Sequence, residues 1–342
     1  MGTVSMQDIA NKLNVSKATV SLVLSGKAKD SRVSRAMCDK IIIAAKDMDY
    51  QPNEIARSLR TGQTKTIGVV VTDISNEFFG RFTFYIQEQA KKYGYTVITT
   101  NTNENLEEFD NMITILLNKR VDGIIFVPVD NGQEVAAKIA NNRIPMVQID
   151  RYYPDFEANY IGVNNYKASA EATDALIAKG CRRIGVICYN INLNALNERR
   201  KGCEDILEKY GFYDADLIKN INYKSQEEEI RKAISDLYGA RQKVDVIYFC
   251  SRKVAVTGIE EMHQQGIKIP EDMQVLCFDR IESFGITGIP INYIEQPIQE
   301  MGERAVDLLI KQIGGHQEIS RCEFEATIRL SSELKFQRPA EM

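Results

Sequence analysis

Histidine, tryptophan and paired cysteines are scarce in this sequence. Its 342 residues include two histidines, no tryptophan and seven cysteines, and the closest cysteines are Cys181 and Cys188. Without a CxxC pair or a histidine cluster, the sequence favours neither a metal site nor a redox motif. A Ser/His/Asp or Cys/His set cannot be built plausibly on His263 and His316, and no GxGxxG or GxxxxGK[ST] loop occurs. We therefore expect no metal, no cofactor and no enzymatic activity.

Long apolar runs are also missing. No stretch approaches the roughly 20 apolar residues that a membrane-spanning helix needs. The first residues carry neither a basic segment nor an apolar one, so no secretory signal is visible and a cytoplasmic location is expected. The composition, 44% hydrophobic and 26% charged, is that of a globular protein, and the length predicts two or three domains.

Charge is distributed unevenly along the chain. Residues 1–65 hold 11 basic and 6 acidic residues, a net charge of +5, whereas the rest holds 32 basic and 41 acidic residues, a net charge of −9. A basic head on an acidic body indicates that the head meets a polyanion such as DNA. A solvated charged surface explains the same numbers equally well, so the local pattern has to decide.

Three short amphipathic helices are predicted in the basic head. They span 6–13, 17–24 and 35 to about 49, and each begins after a serine that can cap it. Two short helices joined by a tight turn and braced by a third form a helix-turn-helix unit, whose second helix enters the DNA major groove. The predicted DNA contacts of this head are Ser5, Ser16, Lys17, Ala18, Thr19, Ser21, Leu22 and Ser34.

A short segment, residues 51–63, follows the head. Pro52 stops the third helix, Asn53 can cap a helix of one or two turns, and Gly62 ends it. Such a helix is too short to be stable alone and is expected to form only against DNA or a partner copy. A leucine between two arginines at its centre fits a minor-groove wedge with phosphate contacts, although an ordinary linker is the alternative. The predicted DNA contacts here are Asn53, Arg57, Leu59 and Arg60.

Three motifs follow one another in this region: Ile9-Ala10 with Val15–Ser21, then Tyr50–Asn53, then Ala56–Gly62. Together they resemble the lactose-repressor (LacI/GalR) family of bacterial transcription regulators. The resemblance implies a dimeric, ligand-controlled binder of pseudo-palindromic operator DNA, with Leu59 as the leucine that enters the minor groove. Leu22 departs from the pattern, because the family very often has an arginine there that bonds a base. We therefore expect an operator that differs from the family consensus at that base pair.

The rest of the chain alternates short apolar strands with amphipathic helices, which is typical of parallel α/β sheets. Two series of strands echo each other, as in Thr66-Ile67-Gly68-Val69-Val70 and Arg183-Ile184-Gly185-Val186-Ile187. We predict two doubly wound subdomains with a ligand in the cleft at the carboxyl ends of their strands. The predicted strands are 66–71, 96–101, 123–128, 145–150, 183–189, 217–221, 244–250, 273–279 and a closing strand over 323–330.

The resemblance implies a core like that of the periplasmic binding proteins behind an all-α helix-turn-helix headpiece. We expect a headpiece over 1–50, a hinge over 51–63 and a core over 64–338. Subdomain one is predicted to comprise about 66–162 and 292–320, and subdomain two about 163–291 and 321–338. A sugar-binding protein of the same core fold without operator function is the alternative, and the basic head argues against it.

Polar and aromatic residues near strand ends are the predicted effector contacts. Carboxylates and guanidinium groups bind sugar hydroxyls in pairs of hydrogen bonds, and aromatic rings stack on the apolar face of a sugar. Core packing for the two phenylalanines, helix capping for Asp73 and pairing with Arg151 for Asp150 are the alternatives. The predicted set is Asp73, Ser75, Phe78, Phe79, Asp150, Asn164, Tyr189, Arg199, Arg252, Asp279 and Gln296.

The resemblance gives two of these residues a role. Arg199 and Gly202 match the family's Arg-x-x-Gly, whose arginine usually contacts the effector. Cys277-Phe278-Asp279 resembles the family's Gly-(Phe/Tyr)-Asp, whose aspartate usually binds effector hydroxyls, although Cys277 stands in place of the glycine and Arg280 in place of a second acid.

The effector site also departs from the family pattern in charge. Arg252 and Lys253 stand where the family commonly has Asn-Asp. With Arg199 and Arg280 they would make the cleft positive, so a sugar or sugar derivative that carries an acidic group is the expected effector. The alternative is that Arg252 pairs with Asp279 and blocks the cleft.

Overall fold

The structure is a computed structural model that describes residues 4–26, 28, 33–51, 58, 61–240 and 243–331, with only the backbone of residue 287. The chain divides into two compact units between Thr64 and Lys65. Each unit has its own hydrophobic core, and each is described below by itself.

The first unit contains three helices: α1 (Met6–Leu13), α2 (Lys17–Leu24) and α3 (Arg35–Asp47). Asn14 ends α1 in the left-handed conformation, with φ of 52°. The chain turns there, and two residues later α2 begins. One isoleucine or valine from each helix, Ile9, Val20 and Ile41, is fully buried in the common core. This is the helix-turn-helix arrangement that the sequence predicts.

The second unit is an α/β core with two six-stranded sheets in its described part. Its strands are β1 (Thr66–Val71), β2 (Thr96–Asn101), β3 (Gly123–Phe126), β4 (Met146–Ile149), β5 (Asn159–Val163), β6 (Ile184–Tyr189), β7 (Ile218–Ile221), β8 (Val246–Phe249), β9 (Gln274–Phe278), β10 (Asn292–Glu295), β11 (Arg321–Phe324) and β12 (Thr327–Arg329). Its helices are α4 (Glu77–Lys92), α5 (Leu106–Asn118), α6 (Gln133–Asn141), α7 (Asn165–Ala178), α8 (Asn194–Tyr210), α9 (Gln226–Tyr238), α10 (Arg252–Gln264), α11 (Glu282–Thr287) and α12 (Ile298–Ile313).

The first sheet has the strand order β11-β5-β4-β3-β1-β2 and is parallel throughout. The second has the order β12-β10-β9-β8-β6-β7 and is parallel except for its edge strand β12. Helices α4, α5 and α12 pack on strands of the first sheet and α7 to α10 on strands of the second, while α6 packs on α5. We call the two halves subdomain one and subdomain two. The prediction of two doubly wound parallel sheets is confirmed.

Three details of the predicted core are wrong. Strand β10, assigned to subdomain one, pairs with β9 in the second sheet, and β11, assigned to subdomain two, pairs with β5 in the first. The single closing strand over 323–330 is two strands, β11 and β12, in different sheets. No strand is predicted at the positions of β5 and β10. Sheet membership follows from which neighbour a strand pairs with, and a local apolar pattern does not encode that choice.

The repeated Thr/Arg-Ile-Gly motif has one structural role in both halves. A Cβ atom on Gly68 of β1 would lie 2.6 Å from Leu116 of α5, and one on Gly185 of β6 would lie 2.9 Å from Leu237 of α9. In each sheet the glycine therefore leaves room for a leucine of a helix that packs on the first strand. The two subdomains share this packing as well as their topology.

Gly202 lets helices α7 and α8 approach closely, because a Cβ atom at this position would lie 2.3 Å from the Tyr166 carbonyl oxygen. We expect Gly202→Ala to destabilise the protein by roughly 1–3 kcal/mol, since a backbone atom cannot move aside as a side chain can. Urea denaturation measures the change.

Gly285→Ala is the matched control, because nothing lies within 4 Å of its Cβ position in α11. Alanine should be neutral or stabilising there by up to about 1 kcal/mol through helix propensity. Equal effects of the two substitutions would contradict the packing argument.

Candidate functional site

The helix-turn-helix head presents the start of α2 to solvent. Lys17 and Ala18 are exposed, and Ser21 and Leu22 are half-buried one turn later. Ammonium groups bind phosphates and base acceptors, and small apolar groups contact the thymine methyl. The arrangement can therefore read base edges with one cation and a short apolar strip.

The three predicted cap serines begin the three helices. Ser5 accepts a hydrogen bond from the Asp8 backbone N–H (3.4 Å), Ser16 from that of Thr19 (3.1 Å) and Ser34 from that of Met37 (3.3 Å). The Thr19 hydroxyl is itself bonded to Ser16 Oγ at 2.8 Å. These hydroxyls fix the helix ends, and exposed backbone N–H groups at such ends are suited to phosphate.

Of the predicted hinge, the structure describes residues 51, 58 and 61–63. The Gly62 N–H donates to the Ser58 carbonyl at 2.8 Å, and Gly62 has φ of 71°, in the left-handed region that ends helices. The predicted contacts Asn53, Arg57, Leu59 and Arg60 lie outside the described residues.

In the second unit a cleft opens between the carboxyl ends of the two sheets. Its lining residues follow strand ends in both subdomains, such as Asp73 after β1, Asp150 after β4 and Asp279 after β9. The free volume of the cleft is about 60 Å³, well below the roughly 300–1,000 Å³ of ligand pockets. The two subdomains are therefore closed upon each other.

Arg199 of α8 is the most enclosed charge in the cleft, with 4% of its surface exposed. Its Nε donates to Asn165 Oδ1 at 2.7 Å, and its Nη1 to the Cys250 carbonyl at 3.1 Å. Its Nη2 lies 3.6 Å from Asp150 Oδ1, and its guanidinium stacks 3.6 Å from the Phe278 ring centre. The Asp150 contact joins the two subdomains.

The spacing of Arg199 and Gly202 has a physical reason. Residues three apart share one face of a helix, and both face α7, where Gly202 meets Tyr166 and Arg199 meets Asn165. The close helix contact at the glycine thus brings the guanidinium within reach of the Asn165 amide oxygen.

The aspartates Asp150 and Asp279 have left-handed backbone conformations, with φ of 64° and 81°. Aspartate tolerates this region better than most residues, yet the conformation stores strain, and such strain clusters at functional sites. Asp279 accepts a hydrogen bond from Gln296 Nε2 at 2.7 Å. Gln296 is 5% exposed, and its Oε1 is a buried acceptor with no hydrogen-bond partner among the described residues.

Every cation that the sequence places in the cleft has a carboxylate partner. Arg252 is paired with Glu77 and also donates to the Arg280 carbonyl at 2.5 Å. Lys253 lies 3.1 Å from Asp73. Burial tends to raise the pKa of Asp73, but hydrogen bonds from Ser75 and Lys253 outweigh it and lower the pKa overall. The alternative in which Arg252 pairs with Asp279 is wrong, because Glu77 provides the carboxylate.

Most of the predicted effector residues meet in this cleft. Phe78 and Phe79, 5% and 4% exposed, line it while they also pack in the core. Gln296 lines a smaller cavity of about 30 Å³ beside it, which it shares with Asp279. The members that line the main cleft are Asp73, Phe78, Phe79, Asp150, Tyr189, Arg199, Arg252 and Asp279.

Two predicted residues lie outside the lining. Ser75 is exposed and donates to Asp73 at 2.5 Å, and Asn164 caps α7 by accepting from the Lys167 N–H at 2.9 Å. The neighbour of Asn164, Asn165, is the residue that contacts Arg199. The sequence could have indicated Asn164 as a helix cap. Nothing in the local sequence indicates the contact of Asn165 with Arg199, which lies 34 positions away. The unpredicted lining residues are Thr72, Glu104, Ile191, Ala195, Leu196, Tyr223 and Ser251, and Asn76, Arg151 and Lys253 complete the lining.

The described residues contain no cluster of three or more His, Cys, Asp or Glu side chains that could hold a metal ion. The absence of a metal or cofactor stays a prediction. None of the helices in the described ranges is long and apolar enough to span a membrane.

Two protein-family models match the chain. One, for periplasmic binding proteins and the sugar-binding domain of the LacI family, covers residues 64–333, and the other, for bacterial regulatory proteins of the lacI family, covers residues 5–53. The chain belongs to the LacI family. This LacI-family chain is accordingly a DNA-binding transcription regulator rather than an enzyme, and both predictions are confirmed.

Known proteins resemble this LacI-family chain over most of its length. The ribose operon repressor of Halalkalibacterium halodurans is 30% identical over 313 residues, covering 90% of each chain. The crystal structure of a periplasmic binding protein/LacI transcriptional regulator from Alkaliphilus metalliredigens complexed with D-xylulofuranose is 28% identical, with a TM-score of 0.68 over 78% of this chain and 97% of the other. A lac repressor dimer bound to operator and the anti-inducer ONPF, 19% identical, has a TM-score of 0.83 over 96% and 98% and shows the fold.

The buried Asp279 generates a prediction for the pH dependence of stability. Burial raises the pKa of this carboxyl from 3.8 to about 6, against the opposing effects of Arg199 and Gln296. Between these values the native state binds more protons at Asp279 than the unfolded state does. The free energy of unfolding should therefore fall by roughly 2–3 kcal/mol through this group as pH rises from 4 to 6.

Asp279→Asn removes this contribution. Urea denaturation of the variant and the unmodified chain at pH 4, 5, 6 and 7 gives the difference in stability at each pH. We expect the difference to change between pH 4 and 6 and then level off. A difference that is constant across the series would show that Asp279 keeps an ordinary pKa.

Proposed function

We propose that the protein is an effector-controlled repressor that binds a pseudo-palindromic operator as a homodimer. The observation that carries the proposal is the joining of a lacI-type regulatory head, residues 5–53, to a sugar-binding core, residues 64–333, in one chain. A two-fold dimer places two heads on two half-sites, so the symmetry of the operator follows from that of the protein. A cytoplasmic location belongs to the same proposal.

A sugar or sugar derivative is the proposed effector. Asp150, Asp279 and Gln296 offer hydrogen-bond acceptors to hydroxyl groups, and the buried Oε1 of Gln296 lacks a donor among the described residues. Phe78 and Phe79 supply the apolar surface that a sugar ring packs on. The names of the relatives agree, since one represses a ribose operon and another was solved with D-xylulofuranose.

The charge of the effector is the finer part of the proposal. The main cleft is lined by four acids, Asp73, Glu104, Asp150 and Asp279, and by four bases, Arg151, Arg199, Arg252 and Lys253. It is therefore balanced rather than positive. The argument for an acidic effector is that Arg252 and Lys253 begin α10, where the helix dipole adds to their attraction for an anion. An acidic group would take the place that the carboxylate of Glu77 or Asp73 has in the closed cleft.

Base preference tests the operator-binding part. Leu22 offers only apolar contact, whereas arginine can pair with guanine O6 and N7, which is worth roughly 1–3 kcal/mol of discrimination. We expect Leu22→Arg to change the preferred base at one position in each half-site and to leave the others unchanged. Selection from random DNA followed by gel shifts measures this.

Leu22→Met, which stays apolar, is the matched control and should keep the original preference. Identical selected sequences for Leu22→Arg and the unmodified chain would contradict the assignment of α2 as the reading helix. Binding without any sequence preference would contradict the operator proposal as a whole.

A thermal-shift screen against neutral sugars, sugar acids and sugar phosphates tests the effector part. A ligand of the native state raises the melting temperature by mass action. We expect the acidic compounds to raise the melting temperature more than the neutral sugars do. In Arg252→Gln the acidic compounds should no longer raise it. Arg280→Gln is the control, because Arg280 is half exposed and pairs with Glu295 at 3.7 Å.

A neutral sugar that gives the largest shift and is unaffected by Arg252→Gln would contradict the acidic effector and leave the sugar proposal intact. No response to any of these compounds would contradict a sugar effector.

A further inference from the structure

Three ion pairs join the two subdomains across the mouth of the cleft. On subdomain one the charged residues are Asp73, Glu77 and Arg81, spaced four apart from the end of β1 into α4. Their partners on subdomain two are Lys253 and Arg252, at the start of α10, and Glu282, at the start of α11. We call these six residues the ion-pair clasp.

The clasp is complementary in order as well as in charge. Lys253 Nζ lies 3.1 Å from Asp73 Oδ2, Arg252 is in direct contact with Glu77, and Arg81 Nη1 lies 2.7 Å from Glu282 Oε1. Signs that run negative, negative, positive on one side thus meet positive, positive, negative on the other. Such a pattern fixes one register between two surfaces, because a shift by one place brings like charges together.

Two of the three pairs are partly withdrawn from solvent. The side chain of Arg252 is 12% exposed and that of Asp73 is 18% exposed. Salt screens partly buried pairs less than exposed ones. Only the third pair, Arg81 with Glu282, is largely open to water, at 38% and 50% exposure, where a pair contributes little by itself. The inner pairs therefore provide most of the attraction.

We propose that the ion-pair clasp holds the cleft closed, with Asp73 and Glu77 in the position of an effector's acidic groups. Asp73, Arg252 and Lys253 line the cavity of about 60 Å³, so a sugar enters only after the inner pairs separate. The clasp and the effector then compete for the same cations. The competition between clasp and effector rests on the proposed function, whereas closure itself requires neither effector nor operator.

The competition has a quantitative consequence. The apparent affinity for an effector is proportional to the fraction of protein whose cleft is open. A weaker clasp therefore tightens the binding of any ligand of the cleft, acidic or neutral, and a ligand that itself binds Arg252 and Lys253 recovers part of the lost attraction. The clasp thus favours acidic ligands without excluding neutral ones.

Hydrogen exchange of the full-length, effector-free protein tests the closure. Arg81→Glu places like charges opposite each other, and the double variant Arg81→Glu/Glu282→Arg restores the pair with reversed polarity. The reporter is the peptide containing Tyr152, whose backbone N–H in subdomain one donates to Asn194 Oδ1 in subdomain two at 3.3 Å. We expect about fivefold faster exchange in Arg81→Glu, the factor for about 1 kcal/mol, and recovery in the double variant.

Glu77→Gln is the second variant, since it removes one inner charge and changes no volume. It should also accelerate exchange at Tyr152 and increase the radius of gyration in solution scattering. Lys92→Glu is the matched control, because its partner Glu303 lies in the same subdomain at 3.8 Å. In this variant the peptide containing Tyr152 should exchange its amide hydrogens at the same rate as in the unmodified chain.

Unchanged exchange in both Arg81→Glu and Glu77→Gln would overturn the proposal, as would a double variant that exchanges no more slowly than Arg81→Glu. The exchange experiment contains neither DNA nor any ligand, so this failure is distinguishable from failure of the proposed function.

Discussion

The buried guanidinium of Arg199 is the interaction on which the cleft depends. A charge with 4% exposure is stable only where neighbouring groups replace water. Here an amide, a backbone carbonyl, an aromatic face and a carboxylate do so. Three of these belong to subdomain two and the carboxylate of Asp150 to subdomain one. Arg199 therefore completes the interior of subdomain two and also requires subdomain one to be near.

The remaining charges of the cleft extend the same principle outward. From Arg199 toward solvent, the pairs become more exposed, through Arg252 with Glu77 to Arg81 with Glu282. The energetic value of an ion pair changes along this path, because desolvation and attraction both decrease. The contact of Arg199 with Asp150 serves mainly to position groups, whereas the pairs of the ion-pair clasp are more exposed to water. The proposed opening and closing of the cleft uses both kinds of contact.

The sequence predicts the helices and most strands closely, and it predicts the cleft only in part. Strands such as Thr66–Val71 and the helix Lys17–Leu24 are local patterns of apolar residues, and the structure reproduces them. The unusual cations at 252 and 253 are also visible in the sequence, but their partners are not. Lys253 meets Asp73 from 180 positions away, and only the assembled sheets bring the two together. For the same reason the sheet to which β10 or β11 belongs cannot be read from its residues.

The exchange of strands between the sheets also determines the order in which the protein can be completed. Sheet one needs α12 and β11, which lie after nearly all of subdomain two in the chain. During synthesis the headpiece can therefore fold early, whereas the first subdomain waits, with an uncovered edge on β5, until residue 324 is available. Subdomain two is itself complete only at β12. The two halves of the core are thus finished within a few residues of each other, although most of subdomain one is made first.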